Sequence, residues 1–166
     1  ARQRLDMLLM DLDYARSQTL AILSKLKAFC QQHQEIDRHR AYLQSIPGIG
    51  CIASLTILSR IGDPANLRNP RELGAFIGIV PREHSTGESV SKGSITHLGD
   101  QTLRMLLVEA AWVAIRRDTE LDEFYNRIKK RHHSAFAARK AIVAVARKLT
   151  HRIYTVLKEQ RMYVVH

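Results

Sequence analysis

The sequence predicts an all-α fold, in which a long N-terminal coiled-coil helix precedes a compact multi-helix domain. Three observations carry that expectation. Apolar side chains recur at alternating three- and four-residue spacing through residues 1–44, and again through 103–114 and 142–156. Residues that start helices stand before the later runs: Asn69 with Pro70, Asp100, and Thr119. Only one segment, 81–99, reads as long and irregular.

The first run comprises Leu5, Leu8, Leu12, Ala15, Thr19, Ile22, Leu26, Phe29, His33, Ile36, Arg40 and Leu43, nine of them apolar. It predicts one helix over 1–44 with a coiled-coil seam. Such a helix, on the order of 60 Å long, needs a partner helix, because a small domain cannot cover it. Pro47 ends it. The stretch "IPGIG" then predicts a tight turn, followed by an apolar helix over 51–61. Gly48 and Gly50 at this spacing resemble the turn of a helix-hairpin-helix motif, where unpaired amides and the helix dipole hold a nucleic-acid phosphate. The competing reading is a tight turn and nothing more.

A short helix is expected over 70–77, then the segment 81–99, rich in Ser, Thr and Gly. A loop of that length inside a compact domain is more often functional than not. Asp100 caps the next helix and Thr119 the one after, whose first turn is acidic and last turn basic, as the helix dipole prefers. The last helix is expected over 134–160, with Ile142, Val145, Ala146, Leu149, Ile153 and Val156 inward and Lys140, Arg147, His151 and Lys158 in a stripe opposite. Trp112 reads as core, Tyr125 and Tyr154 as packed residues with a satisfied hydroxyl, and Arg60 as either a helix-end residue or a nucleic-acid contact.

With 166 residues and 45% hydrophobic content the chain can bury a core, which excludes a disordered tail. No apolar run approaches the roughly 20 residues a membrane helix requires. Cys30 and Cys51 suit a reducing, cytoplasmic setting rather than a disulfide framework. The chain opens in helical rhythm without an initiator methionine, so an N-terminal part is expected to be missing. Net charge is +10, and residues 101–166 carry 14 basic against 6 acidic side chains. Between Arg127 and Arg152 there are nine Lys or Arg and no Asp or Glu. That one-sided field suggests a polyanionic partner, with Arg127, Lys129, Lys130, Arg131, Arg139, Lys140, Arg147, Lys148, His151 and Lys158 as candidate DNA or RNA contacts. His132 and His133 lack the spaced companions a zinc site needs.

Five blocks now fall into one order: "IPGIGCIASLTILSRIGD", "LGAFIGIVPREHSTGE", "GSITHLGDQTLRMLLVEAAW", "FYNRIKKR" and "AIVAVARKLTHRIYTVLK". They resemble the C-terminal domain of insertion sequence 110 family transposases, the Piv-like DEDD recombinases, over residues 45–158. The resemblance implies DNA transposition with a guide (bridge) RNA in a homo-oligomer, acting at the bacterial nucleoid. It also implies a coiled coil over 1–44 and a preceding RuvC-like domain, absent here, whose carboxylates hold Mg2+. No metal or other cofactor is expected within this chain itself.

The family carries a serine before a glycine in the loop corresponding to 81–99, proposed as nucleophile toward a phosphodiester. Ser85-Thr86-Gly87 stands there, so Ser85 is the candidate, with Thr86 as the register alternative. A charged phosphate there needs cations, and His84, Lys92 and Arg104 are the candidates within this segment; Arg104 lies in the block that resembles the family's Gly-Asn-x-x-Leu-Arg. Asp100 replaces an asparagine of the family pattern. Without the resemblance, the same residues also describe a non-catalytic helix-hairpin-helix module for DNA binding or oligomerisation.

Overall fold

The computed structural model describes residues 2–86, 89–95, 98–132 and 135–164, with 81–86 and 89–95 described as backbone. Contacts divide the chain into two units, Ala1–Arg38 and His39–His166.

The first unit is helical, but not one unbroken helix. Helix α1 spans Arg2–Gln32 and α2 spans Gln34–Gln44, so the expected single helix over 1–44 is interrupted at His33. The interruption is made in the main chain. The His33 N–H is shared between Phe29 O at 3.2 Å and Cys30 O at 3.1 Å, which tightens the last turn of α1. Asp37 N–H then bonds His33 O at 3.0 Å, and Glu35 and Asp37 place acidic side chains in the first turn of α2. Along α1 the seam is open: Leu5, Leu8, Leu12, Ile22 and Phe29 are 45–58% exposed, and Cys30 is the one buried residue of the helix.

The second unit is helical around one core, as the 3-4 spacing predicts. After α2 come α3 (Cys51–Ile61), a 3-10 turn (Pro64–Asn66), α4 (Pro70–Ile77), α5 (Gln101–Ala114), α6 (Thr119–Arg131) and α7 (Ala137–Lys158). Helix α7 packs against α4, α5 and α6. Its Val145, Leu149 and Ile153 meet Leu73, Ile77, Leu107 and Leu121 in one buried cluster. Each fully buried aliphatic side chain contributes about 1.5–3 kcal/mol. α7 is shorter than the expected 134–160; Ser134, its expected start, lies outside the described residues.

The caps follow local chemistry. Asn69 accepts the Glu72 amide at 2.9 Å, while the Glu72 carboxylate reaches back past the cap to accept the Arg68 amide at 3.1 Å. Asp100 accepts the Leu103 amide at 3.0 Å. At α6 the cap is Asp118, which accepts the Leu121 amide at 3.1 Å, and not the expected Thr119, which is already the first helical residue.

Two further expectations change. The segment 81–99 is not irregular throughout: β1 (Pro81–Thr86) pairs antiparallel with β2 (Ser89–Ile95), with a register shift between Pro81 and Glu83. Trp112 is not core. It is 38% exposed and meets the Tyr125 ring edge-on, with centroids 5.8 Å apart.

Candidate functional site

The β1–β2 hairpin leaves the helical core at a crossing of two glycines. Gly78, at the C-terminus of α4, takes φ +74°, a left-handed conformation that favours glycine. Gly99 lies directly against it. A Cβ on Gly99 would stand 2.3 Å from Gly78 N and 2.5 Å from Phe76 O. The Asp100 amide donates to Phe76 O at 2.9 Å, and Arg104 on α5 donates from Nη1 to Ile77 O at 3.1 Å. Arg60, in the last turn of α3, stands 3.5 Å from the Asp100 carboxylate. The two ends of the hairpin segment are thus held together by α4, α5 and the α3 terminus. Arg104, expected at a phosphate, is placed at the hairpin base with one nitrogen committed to the main chain.

Within the hairpin, His84 pairs with Ser91, Ser85 with Val90, Thr86 with Ser89, and Glu83 with Lys92. Ser85 and Thr86 therefore sit at the distal end of the pairing, next to the connection between the strands. Gly87, which belongs to the candidate nucleophile motif, lies outside the described residues.

The Pro47–Gly50 turn divides its two glycines by role. Gly48 has φ +90°, and a Cβ there would stand 2.2 Å from Ala110 O, so α5 packs directly on this glycine. Its need for glycine is met by helix packing. Gly50 is different: nothing lies within 4 Å of a Cβ built on it, and it caps α3 with its side exposed. A groove of about 420 Å³ runs along this turn, bordered by Gln44, Gly48, Gly50, Val113 and Arg117. Arg117 was not legible from sequence as a neighbour of this turn, since more than sixty residues separate them.

The basic residues of α6 and α7 fall into two kinds. Arg127, Lys130 and Arg131 border an open groove of about 490 Å³ with Glu123 and Asn126. Arg127 lies over the Phe124 ring at 5.4 Å, Lys129 over Tyr125 at 5.8 Å and Arg139 over Phe136 at 5.6 Å. On α7, Lys140, Arg147, His151 and Lys158 are all exposed, as the stripe predicts. Two cations expected at phosphates have partners inside the protein. Lys148 bonds the Glu120 carboxylate, and Lys158 donates to Ala65 O and Leu67 O at 3.2 Å each. His133 lies outside the described residues, while His132 ends α6. Tyr154 packs as expected and donates its hydroxyl to Arg68 O at 3.0 Å.

Beside Lys148 sits a buried polar knot that sequence reading missed. Arg152 donates to Asp118 at 2.6 Å and to Glu120 at 2.7 Å, and its guanidinium covers the Tyr163 ring at 4.5 Å. Tyr163 donates its hydroxyl to Asp118 at 3.2 Å and its amide to Ser45 Oγ at 2.7 Å. Burial would raise the Asp118 carboxyl, but the Leu121 amide, Arg152 and Tyr163 outweigh it and hold it below its ordinary 3.8. The Lys148 hydrogen bond holds Glu120 below its ordinary 4.5 against partial burial, with Arg152 helping. Burial and the Asp118 charge push the Tyr163 phenol up to about 12. His151 moves the other way from Tyr163: partial desolvation of its exposed ring lowers its proton affinity, and Arg147 and Arg71 lower it further. Among the described residues no group of three or more His, Cys, Asp or Glu is arranged to hold a metal ion, and no helix is long and apolar enough to cross a membrane.

The comparisons with known proteins agree with one another. Residues 40–126 match the family model described as transposase of the IS116/IS110/IS902 family. The chain is 34% identical over 148 residues to the transposase for insertion sequence element IS1328 of Yersinia enterocolitica, covering 81% of this chain and 43% of that protein. It is 31% identical over 139 residues to the transposase for insertion sequence element IS1111A of Coxiella burnetii, covering 84% of this chain and 37% of that protein. A pilin gene-inverting protein of Moraxella bovis is 29% identical over 131 residues, which covers 78% and 40% respectively. The chain thus spans about two fifths of the length of these relatives.

Proposed function

This chain belongs to the IS116/IS110/IS902 transposase family, and from that premise we propose that it is the part of a DNA recombinase that grips DNA and supplies a hydroxyl nucleophile. The observation that carries the reading is the hairpin. Its base is locked at the Gly78–Gly99 crossing, and its distal end carries Ser85 and Thr86. A nucleophile must be held firmly enough to attack in line, and a strand pair with an anchored base provides that.

In the proposed step the hydroxyl oxygen bonds to phosphorus as one phosphorus–oxygen bond of the strand breaks. The hydroxyl proton passes to the leaving strand oxygen. One phosphoester replaces another, so a second DNA end reverses the step without ATP. Consecutive strand positions belong to opposite faces of the ribbon, so Ser85 and Thr86 are not interchangeable; Ser85 is the primary candidate and Thr86 its alternative. Activation is assigned to Mg2+ held by the RuvC-like domain that the family resemblance implies. Within this chain, Arg104 steadies the hairpin base; Lys92, paired with Glu83, shares the ribbon face of Ser85 and is assigned to the phosphate there, while His84 shares the face of Thr86 and is assigned to the phosphate in that alternative.

DNA, and with it a guide RNA, is assigned to three surfaces. These are the open α3 N-terminus at Gly50, the α6 groove of Arg127, Lys130 and Arg131, and the exposed stripe of α7. The open seam of α1 is assigned to a coiled coil between copies of the protein. The test is separate replacement of Ser85 and Thr86 by Ala in the full-length parent protein. One variant is expected to lose transposition while keeping DNA binding. If both transpose normally, the chain is a non-catalytic DNA-binding module.

A further inference from the structure

We propose that Arg71 on α4 joins Arg147 and His151 on α7 in a single cradle for a nucleic-acid backbone phosphate. The proposal rests on the nucleic-acid reading above and adds to it a helix, α4, that the basic run of α6 and α7 does not include.

The placement of Arg71 is built into the fold. It occupies the first turn of α4, exposed, while Leu73 two residues on is fully buried in the core. The chain leading into α4 is tied to α7 at three points: Tyr154 to Arg68 O, and Lys158 to Ala65 O and to Leu67 O. Helix α4 packs along α7. Arg147 and His151 lie one helical turn apart on the exposed face of α7, and Arg71 is close enough to depress the histidine's proton affinity together with Arg147.

The two neighbouring rows of α7 differ in charge balance. In one, Lys148 and Arg152 meet Glu120 and Asp118. In the other, Arg147 and, from α4, Arg71 have no carboxylate within ion-pair distance among the described residues. Two guanidiniums held beside an imidazole repel one another, and an anion between them removes that penalty. Guanidinium groups suit this ligand, because each offers paired N–H donors to the oxygens of one phosphate.

The groups that face His151 come from every element around it. They are Arg71 from α4, Arg147, Lys148 and Arg152 from α7, Glu120 from α6, and Arg161 and Tyr163 from the segment after α7. Glu120, the one carboxylate among them, is already taken by Lys148 and Arg152. A bound phosphate therefore supplies the negative charge that His151 lacks, and binding takes up a proton as pH falls below neutrality.

The test uses the whole chain and a short DNA duplex, with affinity measured by fluorescence anisotropy across a salt series. Arg71→Ala and Arg147→Ala are each expected to weaken binding about tenfold and to reduce the salt slope by about 0.9. Arg116→Ala, which removes the same charge from the exposed turn between α5 and α6, is expected to have a smaller effect. In parallel, the His151 ring is titrated by NMR. Its proton affinity is expected to rise on adding inorganic phosphate to the wild type, and to respond little in Arg71→Ala. If Arg71→Ala and Arg147→Ala match Arg116→Ala on DNA, or phosphate leaves His151 unmoved, the cradle is refuted and the wider DNA reading stands. If no DNA binds at low salt while phosphate still shifts His151 through Arg71, the anion cradle stands and the nucleic-acid reading falls.

Discussion

Helix α7 runs 22 residues and buries eleven of them; α1 runs 31 and buries Cys30 alone. Both carry apolar side chains at three- and four-residue spacing; elsewhere α1 presents basic and acidic groups, whereas α7 presents basic ones and no carboxylate. The difference lies in what the rest of the chain supplies. α7 finds α4, α5 and α6 around it, whereas Leu5, Leu8 and Leu12 of α1 stay about half exposed. An amphipathic pattern states that a face wants cover; it does not state where the cover comes from. For α7 the answer is internal. For α1 we assign it to a second copy.

The sharpest way to probe the covered helix is its one buried charge. Arg152→Leu leaves Asp118 buried at 2% exposure without its cation, and a loss of about 3–5 kcal/mol is expected in urea denaturation. Leu149→Ala opens a cavity in the same helix and is expected to lose about 2–5 kcal/mol. Gly48→Ala forces a methyl toward Ala110 O at a left-handed backbone position, with an expected loss of about 2–4 kcal/mol. At the uncovered helix the outcome reverses. Leu8→Ala should leave the unfolding of the compact unit within about 0.5 kcal/mol, yet weaken self-association in sedimentation. A Leu8→Ala loss as large as that of Leu149→Ala would break the comparison, and unchanged sedimentation would remove the second copy.

Acidification adds the smallest and most local effects. Asp118 and Glu120 have folded values below 3.8 and 4.5, so their contribution is complete above those values and is lost as pH falls through the lowered ones. His151 also has a depressed value, here from 6.5. In its case the unfolded chain takes the proton first, so stability slips as pH drops below about 6.5. His151→Gln should remove the early slip and leave the late one; Arg152→Leu should remove the Asp118 part of the late one and leave the part that Lys148 maintains at Glu120.

The helices were legible because their signals are local. Asn69, Asp100 and the 3-4 spacing each act within one or two turns. The hairpin was not, because neither PREHST nor SVSKGSI alternates apolar and polar side chains; two strands pairing only with each other need no buried face. The break at His33 has no glycine or proline to announce it. Asp118 and Thr119 are both caps on paper; Asp118, the stronger type, takes the Leu121 amide and is also held by Arg152, thirty-four residues away. Arg71 escaped for the same reason: its charged neighbours come from a helix some seventy-six residues later. As for the hairpin site, the motif led to Ser85 and Thr86, but the Gly78–Gly99 crossing that anchors them depends on a contact between α4 and the start of α5.

Tyr163 bears on how the compact unit answers a mechanical load. Its amide grips Ser45, where the chain comes in from α2, and its phenol grips Asp118. Tension entering the unit at Ser45 would reach Tyr163, after α7, and Asp118, before α6, ahead of the helices between. The entry to the unit, the α5–α6 connection and the segment after α7 then share the load.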